Sequence, residues 1–136
     1  MQIENDISKG QLVPLTFVQA NAAASQTDVA LTVAEVSDAY AMPFAGEVVA
    51  VTVRSNAART AGTLTADALI NGTAAGLTAV LNATVTNNKV SKQPRGSDEF
   101  AAGAYIGAKV TTDASWAPET GDIVVTVWVL LKVEGI

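Results

Sequence analysis

Apolar and polar residues alternate with a period of two along much of this chain. In residues 47–54, Val49, Val51 and Val53 fall on one side, and Val48, Ala50, Thr52 and Arg54 on the other. In residues 62–70, Leu64, Ala66, Ala68 and Ile70 oppose Thr63, Thr65, Asp67 and Leu69. Residues 104–112 set Ile106, Ala108 and Val110 against Tyr105, Lys109 and Thr111, and residues 28–35 set Val29, Leu31 and Val33 against Asp28, Ala30, Thr32 and Ala34. An extended chain sends successive side chains to opposite faces, so each stretch predicts a half-buried strand. The Cβ-branched Val and Thr reinforce that reading. Ala favours helix, and residues 17–24, which end in Gln-Ala-Asn-Ala-Ala-Ala, read equally as a helical turn.

Turn residues punctuate these stretches. Asn71-Gly72 follows Ile70 directly and precedes the apolar run 77–81. Both residues tolerate positive φ, so the dipeptide predicts a tight hairpin. Pro118-Glu-Thr-Gly121 separates Trp116 from the last apolar run, and Gln93-Pro-Arg-Gly-Ser97 breaks another. Pro14, Pro43 and Gly46 interrupt earlier stretches. The result is about seven or eight short strands at roughly ten-residue spacing, the pattern of a β-sandwich or barrel.

Residues 123–131 depart from simple alternation. Ile123, Val125, Val127, Val129 and Leu131 form one face, and Val124, Thr126, Trp128 and Leu130 form another that is nearly as apolar. A strand with one solvated face alternates apolar with polar residues, so both faces here require cover. One face meets the sandwich core. The other predicts a subunit interface built on Val124, Trp128 and Leu130, with cover by the chain's own arm as the competing reading. Val48 and Ala50 share this two-sided character. Residues 1–12 lack strong periodicity and read as an arm outside the core, with the sandwich domain at 13–136. The arm is either a frayed tail or a segment that orders on a partner through Ile3, Ile7 and Leu12.

Composition narrows the chemistry. A length of 136 residues fits one domain. With no cysteine and no histidine, the sequence contains no disulfide, no thiolate nucleophile, no imidazole base and no Cys/His zinc site. Charged residues make up 15% against 49% hydrophobic, which argues against disorder. A net charge of -5 argues against general nucleic-acid binding. The polar, acidic start lacks the features of a signal peptide, and residues 123–131 are too short to span a bilayer as a helix. The expectation is a non-enzymatic chain without cofactor or metal, made in the cytosol and bound to no membrane.

Carboxylates are the only candidate acids and bases. Asp98 and Glu99 are adjacent, and a strand would send them to opposite faces. Asp113, Glu119 and Asp122 flank loops near Trp116, where a glycosidase could pair two acids beside an aromatic platform. The plainer reading is that these are solvated loop acids, and the same residues give only a weak calcium pattern. Asn71-Gly-Thr73 and Asn82-Ala-Thr84 match the glycosylation sequon but read as turn and strand chemistry. Lys89, Lys92 and Arg95 cluster within residues 87–97, a candidate basic loop for contact with an acidic partner or an ordinary solvated loop.

The stretch Ala41-Met-Pro-Phe-Ala-Gly-Glu-Val-Val-Ala-Val-Thr-Val-Arg54, followed by Gly62-Thr-Leu-Thr65 and Ile70-Asn-Gly-Thr73, resembles small jelly-roll modules of tailed-phage virion proteins. Residues 100–116 and 122–131 fit the same pattern, so the resemblance covers about residues 40–131. It implies an antiparallel jelly-roll sandwich and brings no catalytic residue. Within that group the short chain, free of fibrous repeats and carrying a polar arm, is most similar to capsid decoration, or cement, proteins. That likeness implies a homotrimer on the outer capsid surface, assembled in the host cytoplasm. It also implies contact with the major capsid protein, with Ile3, Ile7 and Leu12 as docking residues. The alternative within the same resemblance is a tail-fibre or receptor-binding module, with Trp116, Tyr105 or Tyr40 exposed around a groove.

Overall fold

A computed structural model describes residues 10–33 and 37–133. Those residues form an all-β, antiparallel sandwich of two sheets. In chain order the strands are β1 (Gln11–Gln19), β2 (Val29–Ala30), β3 (Tyr40–Ala41), β4 (Gly46–Ser55), β5 (Leu64–Ile70), β6 (Thr73–Leu81), β7 (Asn88–Lys92), β8 (Glu99–Phe100), β9 (Tyr105–Thr112) and β10 (Ile123–Leu131). The first sheet has the order β1-β10-β4-β7, with β8 also on β4. The second has the order β2-β9-β5-β6, with β3 also on β9.

The core lies between the sheets and follows the period of two. Leu15 and Phe17 of β1, Val48, Val51 and Val53 of β4, and Ile123, Val125, Val127 and Val129 of β10 point inward from the first sheet and are buried. Across from them lie Leu64, Ala66 and Ala68 of β5, Ala79 and Leu81 of β6, and Ile106, Ala108 and Val110 of β9. The alanines are therefore core residues. Small side chains on one sheet leave room for branched and aromatic ones on the other, as interdigitation at native density requires.

The Asn71-Gly72 hairpin is present. Ile70 pairs with Thr73 across a two-residue turn, and both turn residues have positive φ (52° and 82°), the I′ geometry that matches strand twist. Strands β5, β9 and β10 keep the inward faces expected from alternation. Strand β4 does not keep its phase. Trp128 pairs with Ala50 while Val129 pairs with Val48, so Val49 is the extra residue of a β-bulge. The bulge turns Val48 inward with Val51 and Val53 and displaces Val49 from the face that alternation assigns it.

Four other expectations change. Residues 17–24 contain no helical turn, because β1 runs to Gln19 and bends follow it. Residues 11 and 12 belong to β1, where Leu12 pairs with Leu130, so Leu12 is a sheet residue rather than part of an arm. The loop 87–97 holds β7 at its start. The stretch 28–35 forms only β2 and two isolated bridges, Thr32 to Val18 and Val33 to Ser37, before residue 34, where the described residues break off.

Candidate functional site

The outward faces of the two sheets differ in chemistry. On the second sheet, Thr65 pairs with Thr111, and Asp67 pairs with Lys109 on one side and Thr78 on the other. Lys109 Nζ donates to Asp28 Oδ1 at 2.8 Å and lies 3.9 Å from Asp67 Oδ2. The centre of this face is polar and internally satisfied, apart from Asp67 Oδ1, which is buried without a hydrogen-bond partner, and Leu69, Val80 and Tyr105 flank it.

The environment splits the two carboxylates. The hydrogen bond and charge of Lys109 hold Asp28 below the usual carboxylate value. Burial pushes Asp67 above it, with the Lys109 charge opposing in part. A lowered acid adds stability above its unfolded value, near 3.8, and loses it as pH falls through the folded value. A raised acid does the reverse, so ionised Asp67 opposes folding at neutral pH and is relieved on acidification. Asp67→Asn should therefore melt higher than the parent at pH 7, with the gap closing towards pH 4. Thermal melts across that range check it. A lower melting point for the variant at pH 7 would show that the Lys109 attraction outweighs desolvation.

The first sheet carries apolar groups outward. Leu12 and Pro14 of β1, Val124, Trp128 and Leu130 of β10, Ala50 of β4 and Val90 of β7 share this face through the pairings Leu12–Leu130, Pro14–Trp128, Trp128–Ala50 and Thr52–Val90. Leu12 and Val90 are 58% and 55% exposed, among the largest values for big apolar side chains here. Between them runs an open groove of about 470 Å³ floored by Val49, Ala50, Thr52 and Trp128. Small Ala50 opposite large Trp128, together with the Val49 bulge, makes the hollow. The Trp128 Nε1–H donates to Thr52 Oγ1 at 3.4 Å, which leaves the apolar surface of the indole for a partner.

A second groove of about 550 Å³ continues along the same face past Thr126 and Val124 to Arg54 and Asn88. Arg54, Lys89 and Lys92 make no salt bridge among the described residues. Arg95 is committed: its Nε donates to Glu47 Oε1 at 3.1 Å, and the Glu47 side chain is only 3% exposed. The expected basic cluster thus divides into two exposed lysines on β7 and one arginine that satisfies a buried acid. The chain is acidic overall, yet this face is locally cationic.

Structure accounts for the acids near Trp116. Asp113 accepts from the Thr63 N–H and hydroxyl at 3.1 Å each and from the Ser115 N–H at 3.0 Å. Asp122 accepts from Asn21 N–H and Asn56 Nδ2, and Glu119 from Ala24 N–H. Asp98 accepts from Gln93 Nε2 at 2.6 Å. These acids tie loops together. Trp116 is 2% exposed and its Nε1–H donates to the Ala22 carbonyl at 3.1 Å, so it is a core residue and not a sugar platform. Tyr40 packs edge-on against Phe17 and donates to the Thr16 carbonyl, while Tyr105 is the exposed member of the three. No group of three or more acids among the described residues is placed to hold a metal.

Val124, Trp128 and Leu130 therefore meet on one face, joined by Leu12 and Lys92, while Lys89 pairs with core-facing Val53 and projects to the other side of β7. Ile3 and Ile7 lie outside the described residues. Val49 and Val90 had no marker as site residues: Val49 depends on the bulge, and Val90 sits in a polar stretch without alternation. No family model matches the chain, and no curated protein matches it.

Proposed function

We propose that this chain is a structural protein of a tailed-phage virion, a capsid decoration protein that binds the outer head shell as a homotrimer and contacts the major capsid protein. The observation that carries the reading is the contrast between the two sheets. One outer face centres on the Asp28–Lys109–Asp67 group and paired threonines, and the other offers Leu12, Trp128, Leu130 and Val90 around an open groove. An apolar face of this kind on a small domain marks an interaction surface. Burying Trp128 and Leu130 would each contribute about 2–3 kcal/mol before association costs.

Strand order supports a jelly roll within the sandwich. Two four-stranded paths, β1-β10-β4-β7 and β2-β9-β5-β6, divide the chain so that β1 leads to β2, β2 to β4, β4 to β5, β6 to β7, β7 to β9 and β9 to β10 by crossing between sheets, while β5 leads to β6 within one. Such a part works by packing. It favours the closed shell because it binds that state better than the open one. Immunogold electron microscopy of intact particles tests the role: labelling of the head is expected, and labelling confined to the tail would overturn it.

A further inference from the structure

We propose that Glu47 and Arg95 are positioning residues for the outward apolar face: their ion pair clamps residues 93–98 over the outer side of β4 as a fixed wall of the groove. The proposal rests on the reading that copies associate through this face.

Register places the acid. Glu47 pairs with Leu130 across β4 and β10, and directly paired residues share a face of the sheet. Leu130 lies on the outward face with Leu12, so Glu47 does too. An outward acid is ordinarily solvated, yet Glu47 is only 2% exposed. Its cover is the segment 93–98. The Gln93 N–H donates to the Val49 carbonyl at 3.1 Å, and the Asp98 carbonyl accepts from the Val48 N–H at 2.9 Å. The Gln93 Nε2 donates to the Val48 carbonyl at 2.7 Å and to Asp98 Oδ2 at 2.6 Å. Both ends of the segment therefore close on the backbone of the Val49 bulge, and Gln93 lines the groove beside Lys92. Arg95 ties down the middle. Its Nε donates to Glu47 Oε1 at 3.1 Å, and Gly96, at φ 85°, turns the chain just beyond it.

Energetics separate positioning from stabilisation. Taking a carboxylate out of water is costly. The Arg95 side chain is 55% exposed, so water screens its attraction for Glu47. An apolar residue at position 47, between buried Gly46 and Val48, would avoid the desolvation cost altogether. What the pair adds is a directional, charge-assisted contact that fixes where the segment lies. A groove whose wall is already ordered does not have to order it on binding, which raises affinity.

Two altered chains test this. In Arg95→Ala, the Val48 and Gln93 amides should exchange hydrogen roughly ten- to a hundredfold faster than in the parent. In Glu47→Met combined with Arg95→Ala the buried charge is gone. That chain should melt at or above the parent temperature under dilute, monomeric conditions, while the same two amides still exchange fast. Both chains should self-associate about tenfold more weakly by sedimentation equilibrium. Slow exchange in either chain overturns the clamp. Fast exchange with parental affinity in the double variant overturns the positioning role. A double variant that melts below the parent overturns the separation of positioning from stability. A parent chain that stays monomeric overturns the self-association beneath the proposal, and hydrogen exchange then still decides whether the pair holds the segment.

Discussion

Replacing Trp116 with alanine is expected to destabilise the sandwich by about 3–5 kcal/mol, the usual cost of deleting a buried large aromatic side chain. The residue is 2% exposed, and its indole N–H satisfies the Ala22 carbonyl. Truncation therefore opens a cavity and leaves a buried acceptor unpaired. The backbone N–H of residue 116, which donates to the Asp113 carbonyl, is kept in the variant, so the loss stays with the indole. Trp116→Phe keeps most of the ring and loses only the hydrogen bond, so it should cost about 1–2 kcal/mol. Urea unfolding of the two variants checks both values. A Trp116→Ala loss under 1 kcal/mol would mean that this corner of the core is not as closed as its burial indicates.

Trp128→Glu is expected to do the opposite: leave the fold intact and abolish association. Trp128 is half-buried and faces outward, while its neighbours Val127 and Val129 make the core contacts. A carboxylate in the middle of an apolar contact removes about 2–4 kcal/mol, roughly 30- to 1000-fold in affinity. Analytical ultracentrifugation should show a monomer, and circular dichroism an unchanged β-sheet spectrum with a melting temperature that no longer rises with concentration. Thr65→Glu on the opposite sheet should leave the sedimentation profile as it was. A Trp128→Glu chain that sediments like the parent would remove β10 from the interface.

Strands whose inner faces are buried were readable from alternation alone, because burial is what imposes the pattern. That is why β5, β9 and β10 and the Asn71-Gly72 turn stand where the residues place them. The failures share a cause too. Strand β7 is an edge strand with the sequence Asn-Lys-Val-Ser-Lys, mostly exposed. Lysines at an edge protect it from pairing with other chains, and they also erase the signal. The bulge at Val49 is set by the partner strand, since four successive apolar residues, Val48 to Val51, fit either phase. Trp116 sits in a turn, where no period exists to show that it is buried.

Of the outward apolar face, Val124, Trp128 and Leu130 were legible because a strand with two apolar sides is itself anomalous. Leu12 was assigned to an arm because nothing in residues 1–12 shows that β1 starts at Gln11; its pairing with Leu130 depends on contact with the far end of the chain.

That long-range pairing also governs how the protein is made. Strand β10 lies between β1 and β4, and β1 pairs with β10 over its whole length from Gln11–Leu131 to Gln19–Ile123. During synthesis, β1 emerges first and has no sheet partner until the ribosome has added residues 123–131. The second sheet can assemble earlier, since β5 and β6 form a local hairpin and β9 follows. The first sheet cannot close before residues 123–131 are available. Contacts this distant in sequence place folding on the slow, millisecond-to-second side of small domains. Throughout that interval one edge of β4 lacks its partner strand, so chaperone protection of nascent chains is needed most just before residues 123–131 appear.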